Sequence, residues 1–141
     1  MVISYEINIK NMKKEDKELL LKDLCARLPY GVKVHAKYID IDTNTEVEKV
    51  GVLNIVDNDK VIAFTCDDTK YYNYVAIHEV KPYLFPLSSM TEEQKTSHNF
   101  LKHSAYASPI KLIDFYNKNH FDYRGLIPKG MAIDCTNLNI Y

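Results

Sequence analysis

"VKVHAKYIDIDTNTEVEKVGVLNIVDNDKVIAFTC", Val32 to Cys66, decides the fold. Val32, Val34, Ala36 and Tyr38 alternate with Lys33, His35 and Lys37, the period of two that puts one set of side chains on one face of a strand. VGVLNIV and VIAFTC continue the pattern, and YYNYVAIHEV follows them. The breaks DTNT, DNDK and DDTK have the Asp, Asn and Thr that tight turns favour. The segment therefore reads as an antiparallel meander of short strands. In so short a chain its sheet must curl into a small barrel or pack against helices to hide its edges.

Working outward, VKPYLFPL closes the meander as a short strand or turn, with Pro82 and Pro86 excluding central sheet positions. Upstream, Ile3, Tyr5, Ile7 and Ile9 alternate as a first strand. Asn11 then offers an N-cap for a helix from Lys13 to Leu28, whose apolar face would hold Leu20, Leu21, Leu24, Cys25 and Leu28; Pro29 and Gly31 end it. Downstream, Thr91 followed by Glu92, Glu93 and Gln94 is a capping-box start, with Phe100, Leu101 and Ala105 as an apolar stripe. Ser108 with Pro109 starts another helix, striped by Ile110, Leu112, Ile113 and Tyr116. From His120 to Tyr141 no period holds, although MAID and LNIY suit short strands. Phe121, Leu126, Ile127, Met131 and Ile133 give this tail an apolar side on which to dock, burying Phe121 and holding Arg124 near Asp122. The expectation is one α+β domain over 1–141, a small antiparallel SH3-like barrel or curled sheet packed with about three helices. Residues 1–31 supply a strand and a helix, 32–87 the barrel or meander, 88–119 two helices, and 120–141 the docking tail.

Composition narrows the function. The chain of 141 residues is 46% hydrophobic, enough to build a core without disulfide or metal staples. A net charge of −1 implies no global pull toward nucleic acid or anionic membrane. No apolar run reaches membrane-spanning length and no signal-peptide pattern opens the sequence, so a cytoplasmic protein is expected. Cys25, Cys66 and Cys135 include no CxxC pair, and their odd number argues for reduced thiols.

The strand pattern in LPYGVKVHAKY, GVLNIVDNDKVIAF and YVAIHEVKPYL resembles SH3-like barrels and their Sm-like relatives, a fold that serves protein, RNA and DNA binding alike. CARLPYGVKV, VKPYLFPLSSMTEEQ and HFDYRGLIPKG also look like a group of uncharacterised small proteins of gut Bacteroidales and their prophages. That likeness implies a phage or mobile-element origin, with a bacterial host cytoplasm as the setting, and carries over no catalytic residue.

No metal site or cofactor is expected. His98 and His103, five residues apart on one helix, point about 140° from each other, while His35, His78 and His120 fall in separate segments. There is no nucleophile turn and no phosphate-cradling glycine loop. His120 and Asp122 share a face in extended backbone, with Arg124 as an anion clamp and Tyr123 between, so a ligand site or hydrolase built on this tail is one alternative. A structural use outweighs it, because an imidazolium suits a helix C-terminus and Asp122 can pair with Arg124. A nucleic-acid-binding barrel is the other alternative. Residues 35–80, however, carry four basic and nine acidic side chains, a net of −5 that works against phosphate contacts. The eleven tyrosines, with no tryptophan, suit protein interfaces. In YYNY, Tyr72 and Tyr74 share a strand face while Tyr71 lies opposite with Val75 and Ile77, so one tyrosine pair should point away from the core. The favoured expectation is a non-enzymatic interaction protein that binds a host or phage protein, an inhibitor of a host defence system being one form. Its free sheet edge would also allow homo-oligomers.

Overall fold

The computed structural model describes residues 12–66, 71–105 and 107–141. The expected first strand, the Asn11 cap and the DDTK turn lie outside the described residues. The chain divides into two compact units, Met1–Pro82 and Tyr83–Tyr141.

In the first unit, helix α1 (Lys14–Arg27) buries Leu20, Asp23, Leu24 and Arg27, spaced i, i+3, i+4 and i+7 along one stripe. A 3-10 turn over Leu28–Tyr30 follows, and Gly31 at φ +68° stops it in the left-handed conformation that glycine adopts without penalty. Strands β1 (Lys33–Asp40), β2 (Thr45–Val56), β3 (Val61–Thr65) and β4 (Asn73–Ala76) form the expected antiparallel meander. Val34 and Ala36 of β1, Leu53 of β2, Ile62 and Phe64 of β3 and Val75 of β4 are buried, and α1 packs against β2. Gly51 is required where β2 meets β3, because a Cβ there would lie 2.4 Å from the Thr65 carbonyl oxygen.

The meander does not close into a barrel. Strand β5 (Val80–Leu84) returns to the far flank of β1 rather than to β4, pairing Val34 with Pro82 and Ala36 with Val80. The strand order is β4-β3-β2-β1-β5-β6, an open mixed sheet in which β6 (Ile133–Asp134) runs parallel to β5. Pro82, expected to stay out of a central position, sits in this flanked strand. It is tolerated because β6 begins its pairing only at Tyr83, leaving one flank of Pro82 outside any ladder.

In the second unit, Thr91 and Gln94 cap helix α2 (Glu92–His103) reciprocally, and Ser108 with Pro109 starts helix α3 (Pro109–Lys118), both as the sequence predicts. Their apolar stripes differ from expectation. Helix α2 buries nothing and leaves Phe100 59% exposed, and Ile110 of α3 is 75% exposed while Asn117 is buried. Of the expected stripes, Leu101, Leu112 and Tyr116 are half-buried, and between the helices His98 stacks on Phe115 and shares a 2.7 Å hydrogen bond with the Tyr116 hydroxyl. Leu84, Phe121, Leu126, Met131, Ala132 and Cys135 are buried. MAID contributes β6, whereas LNIY forms no strand.

Candidate binding surface

Strand β4 is terminal among the described strands, and its backbone polarity follows from two bonds. The Asp57 N–H donates to the Val61 carbonyl at 3.1 Å, and the Ile77 N–H donates to the Lys60 carbonyl at 2.9 Å. In β3, Val61 therefore bonds toward β2 and Lys60 toward β4. Antiparallel alternation then directs Ile62 and Phe64 toward β4, where their partners are Val75 and Asn73. The N–H and C=O groups of Tyr74 and Ala76 consequently point away from β3, toward the flank that no other described strand pairs. One of them is already occupied, since the Ala76 N–H donates to Oε1 of Glu79 at 2.9 Å.

The side chains follow the same alternation. Val75 and Ile77 are buried, while Tyr72 (49% exposed) and Tyr74 (63%) project from the other face with their rings edge-to-face at 6.3 Å. Ile55, also exposed, lies in the same cross-strand row, since Ala63 pairs with both Ile55 and Tyr74. Tyr71 departs from expectation. It is 83% exposed rather than turned inward with Val75; β4 begins only at Asn73. Asn73 is held from the inner side, where its Oδ1 accepts from Lys49 Nζ at 3.0 Å. Exposed Asp57 and Asp59 lie in the β2–β3 turn, which keeps this end of the edge acidic.

The tail residues meet a different fate. Phe121 is 1% exposed and touches Phe85 and Phe115. The buried Asp122 carboxylate accepts from the backbone N–H groups of Leu126 (2.8 Å) and Ile127 (2.9 Å), closing the turn that follows. Its oxygens are thus bound to the backbone, where the sequence suggested His120 or Arg124. Tyr123 stacks on Tyr116 at 5.1 Å, and the Arg124 guanidinium lies 5.0 Å over the Tyr123 ring. His120, at a positive φ of 60°, stacks face to face on Tyr141 at 3.7 Å. The structure gathers His120, Asp122, Tyr123 and Arg124 into one unit, but each serves a packing or turn-closing contact.

Sequence reasoning missed the buried pair in α1, where Arg27 Nε meets Asp23 Oδ2 at 2.8 Å with neither side chain exposed. The i, i+4 spacing was visible, but charged residues read as the solvated face. Cys25 was assigned to the apolar face and is exposed, one residue around the helix from Leu24. Cys135 is buried, and burial pushes its thiol up to about 11. Burial lowers the pKa of His98, helped by neighbouring Lys102 and His103, which leaves a neutral imidazole to bond Tyr116. Among the described residues no His, Cys, Asp and Glu group could hold a metal ion, and no helix is long and apolar enough to cross a membrane.

No family model, curated protein or solved structure matches the chain.

Proposed function

We propose that the protein is a non-enzymatic binding protein that takes a protein partner at the β4 edge through Tyr72 and Tyr74. The observation behind this is the exposed tyrosine pair standing beside outward-directed backbone groups on a strand that is terminal among the described strands. Tyrosine rings supply large, stiff contact area at little entropic cost, and an edge strand supplies main-chain hydrogen bonds to an extended segment of a partner. A catalytic use of the tail finds less support, because both Asp122 carboxylate oxygens accept backbone N–H groups and serve the turn that follows. Tyrosines also stack bases, but the acidic residues beside this edge oppose phosphate binding. The likeness to prophage-encoded proteins favours a host protein as the partner, and inhibition of a defence protein is the form that such a partner suggests.

The test is affinity capture from host lysate by the tagged wild type and by a Tyr72→Ser/Tyr74→Ser variant, with gel shifts on single-stranded and duplex nucleic acid in parallel. A protein captured reproducibly by the wild type and lost with the variant supports the proposal. Nucleic-acid shifts that weaken steeply with salt, without protein capture, would replace it.

A further inference from the structure

Backbone, side chains and charge at the β4 edge each bear on the chemistry of the segment that would lie there. The strand runs only from Asn73 to Ala76, and Glu79 Oε1 already accepts the outward Ala76 N–H at 2.9 Å. The outward N–H and C=O pair left complete is that of Tyr74. An antiparallel strand meets such a pair with a single residue, which exchanges both bonds with it.

That residue also joins a row of side chains. Ile55, Ala63 and Tyr74 are opposed across β2, β3 and β4, and residues opposed in an antiparallel pair share one face of the sheet. Ile55 and Tyr74 are exposed on that face, with the Tyr72 ring 6.3 Å from the Tyr74 ring. An apolar side chain opposite Tyr74 therefore extends the row.

Charge differs at the Ala76 end. The Glu79 carboxylate sits on the flank itself. Exposed Asp57 and Asp59 lie in the turn that adjoins this end, where the Ile77 N–H donates to the Lys60 carbonyl. Half-buried Lys60 offsets only one of the three acids. An antiparallel segment passes this end with the residues that precede its Tyr74 partner. A carboxylate among them would be repelled, and a lysine or arginine attracted.

We propose, resting on the edge reading above, that the partner segment is an extended basic and apolar strand. It runs antiparallel to β4, sets an apolar side chain opposite Tyr74, and carries lysine or arginine just before that residue, at the Glu79 end.

Fluorescence polarisation tests this with two labelled, end-blocked peptides of alternating valine and threonine, one preceded by two lysines and the other by two glutamates. A labelled single-stranded oligonucleotide is the third probe. At low salt the lysine peptide should bind wild type at least about fivefold more tightly than the glutamate peptide, and the oligonucleotide should not bind. Asp59→Asn/Glu79→Gln removes two charges, and the glutamine oxygen can still accept the Ala76 N–H. This variant should bring the two peptides within about twofold of each other. Asp57 is kept, because its Oδ1 accepts the Asp59 and Val61 N–H groups that hold the turn. Binding that is lost in Tyr72→Ser/Tyr74→Ser but equal for the two peptides defeats the charge assignment alone. Binding that survives in the tyrosine variant defeats the edge reading itself. A wild type that does not bind the lysine peptide overturns the proposal, as does a preference unchanged in Asp59→Asn/Glu79→Gln or binding of the oligonucleotide in place of the peptides.

Discussion

YYNYVA on β4 and HFDYRG in the tail use nearly the same chemistry, aromatic rings interleaved with polar groups, and the structure puts them to opposite uses. In the tail every ring has a neighbour: Phe121 touches Phe85 and Phe115, Tyr123 touches Tyr116, and His120 touches Tyr141. On β4 the rings of Tyr72 and Tyr74 meet each other and stay half or more exposed. The difference lies in the backbone rather than in the side chains. A strand at a sheet edge presents one face and one row of polar groups outward by geometry. A turn-rich tail instead sets each ring against a neighbour and closes its turn on a carboxylate that bonds two successive amides. Aromatic content alone therefore does not decide whether rings are buried or exposed; the backbone that carries them does.

Stability measurements can break this contrast, and the largest effect should come from the tail. Phe121→Ala empties a buried ring site and should cost about 3–5 kcal/mol by chemical denaturation. Loss of stability within experimental error would show that the ring is not packed as described. Asp122→Ala leaves two amides without their acceptor, and about 1.5–3 kcal/mol is expected from the charged bonds removed. His120→Ala, which removes one ring stack, should cost about 1 kcal/mol or less. Tyr72→Ser/Tyr74→Ser should change stability by no more than about 0.5 kcal/mol, the usual range for surface positions.

A pH series sharpens the account of the second unit. Burial holds the folded-state pKa of His98 below 6.5, so the unfolded chain binds the extra proton. Stability should be full above about pH 6.5 and fall as the pH drops from there through the lowered folded value. His78, lowered by its own burial, adds a slope of the same sign. His98→Gln should flatten the decline measured by thermal melts between pH 7.5 and 5, and an unchanged slope would remove His98 as its source. The smallest effect is one of reactivity. In the native protein exposed Cys25 should be alkylated first and half-buried Cys66 more slowly, with Cys135 protected until unfolding, as mass spectrometry of a labelling time course would show.

Much of the architecture was legible because it rests on local rules. The period of two in β1, the turn chemistry of DTNT and DNDK, the Thr91–Gln94 box and the Ser108–Pro109 start each act over a few residues, and each is found. The alternation of exposed Tyr74 with buried Val75 was legible for the same reason, while Tyr71, expected inward, lies ahead of the strand and is exposed. What failed depended on partners distant in sequence. Whether β5 joins β4 or β1 decides between a barrel and an open sheet, and no spacing within VKPYLFPL encodes that choice. The stripes of α2 and α3 held only in part: Tyr116 bonds His98 across the two helices, while Phe100 and Ile110 are exposed. Asp23 and Arg27 were missed because a charge is taken to be solvated until a partner is found for it.

The most direct measurement compares partner capture by two variants of equal stability, Tyr72→Ser/Tyr74→Ser and Arg124→Ala, against wild type. Capture should fall to background for the tyrosine variant and persist for Arg124→Ala, with both melting close to wild type. If the tyrosine variant captures as well as wild type while Arg124→Ala captures nothing and remains folded, the binding surface lies in the tail and the contrast drawn between the two segments is wrong.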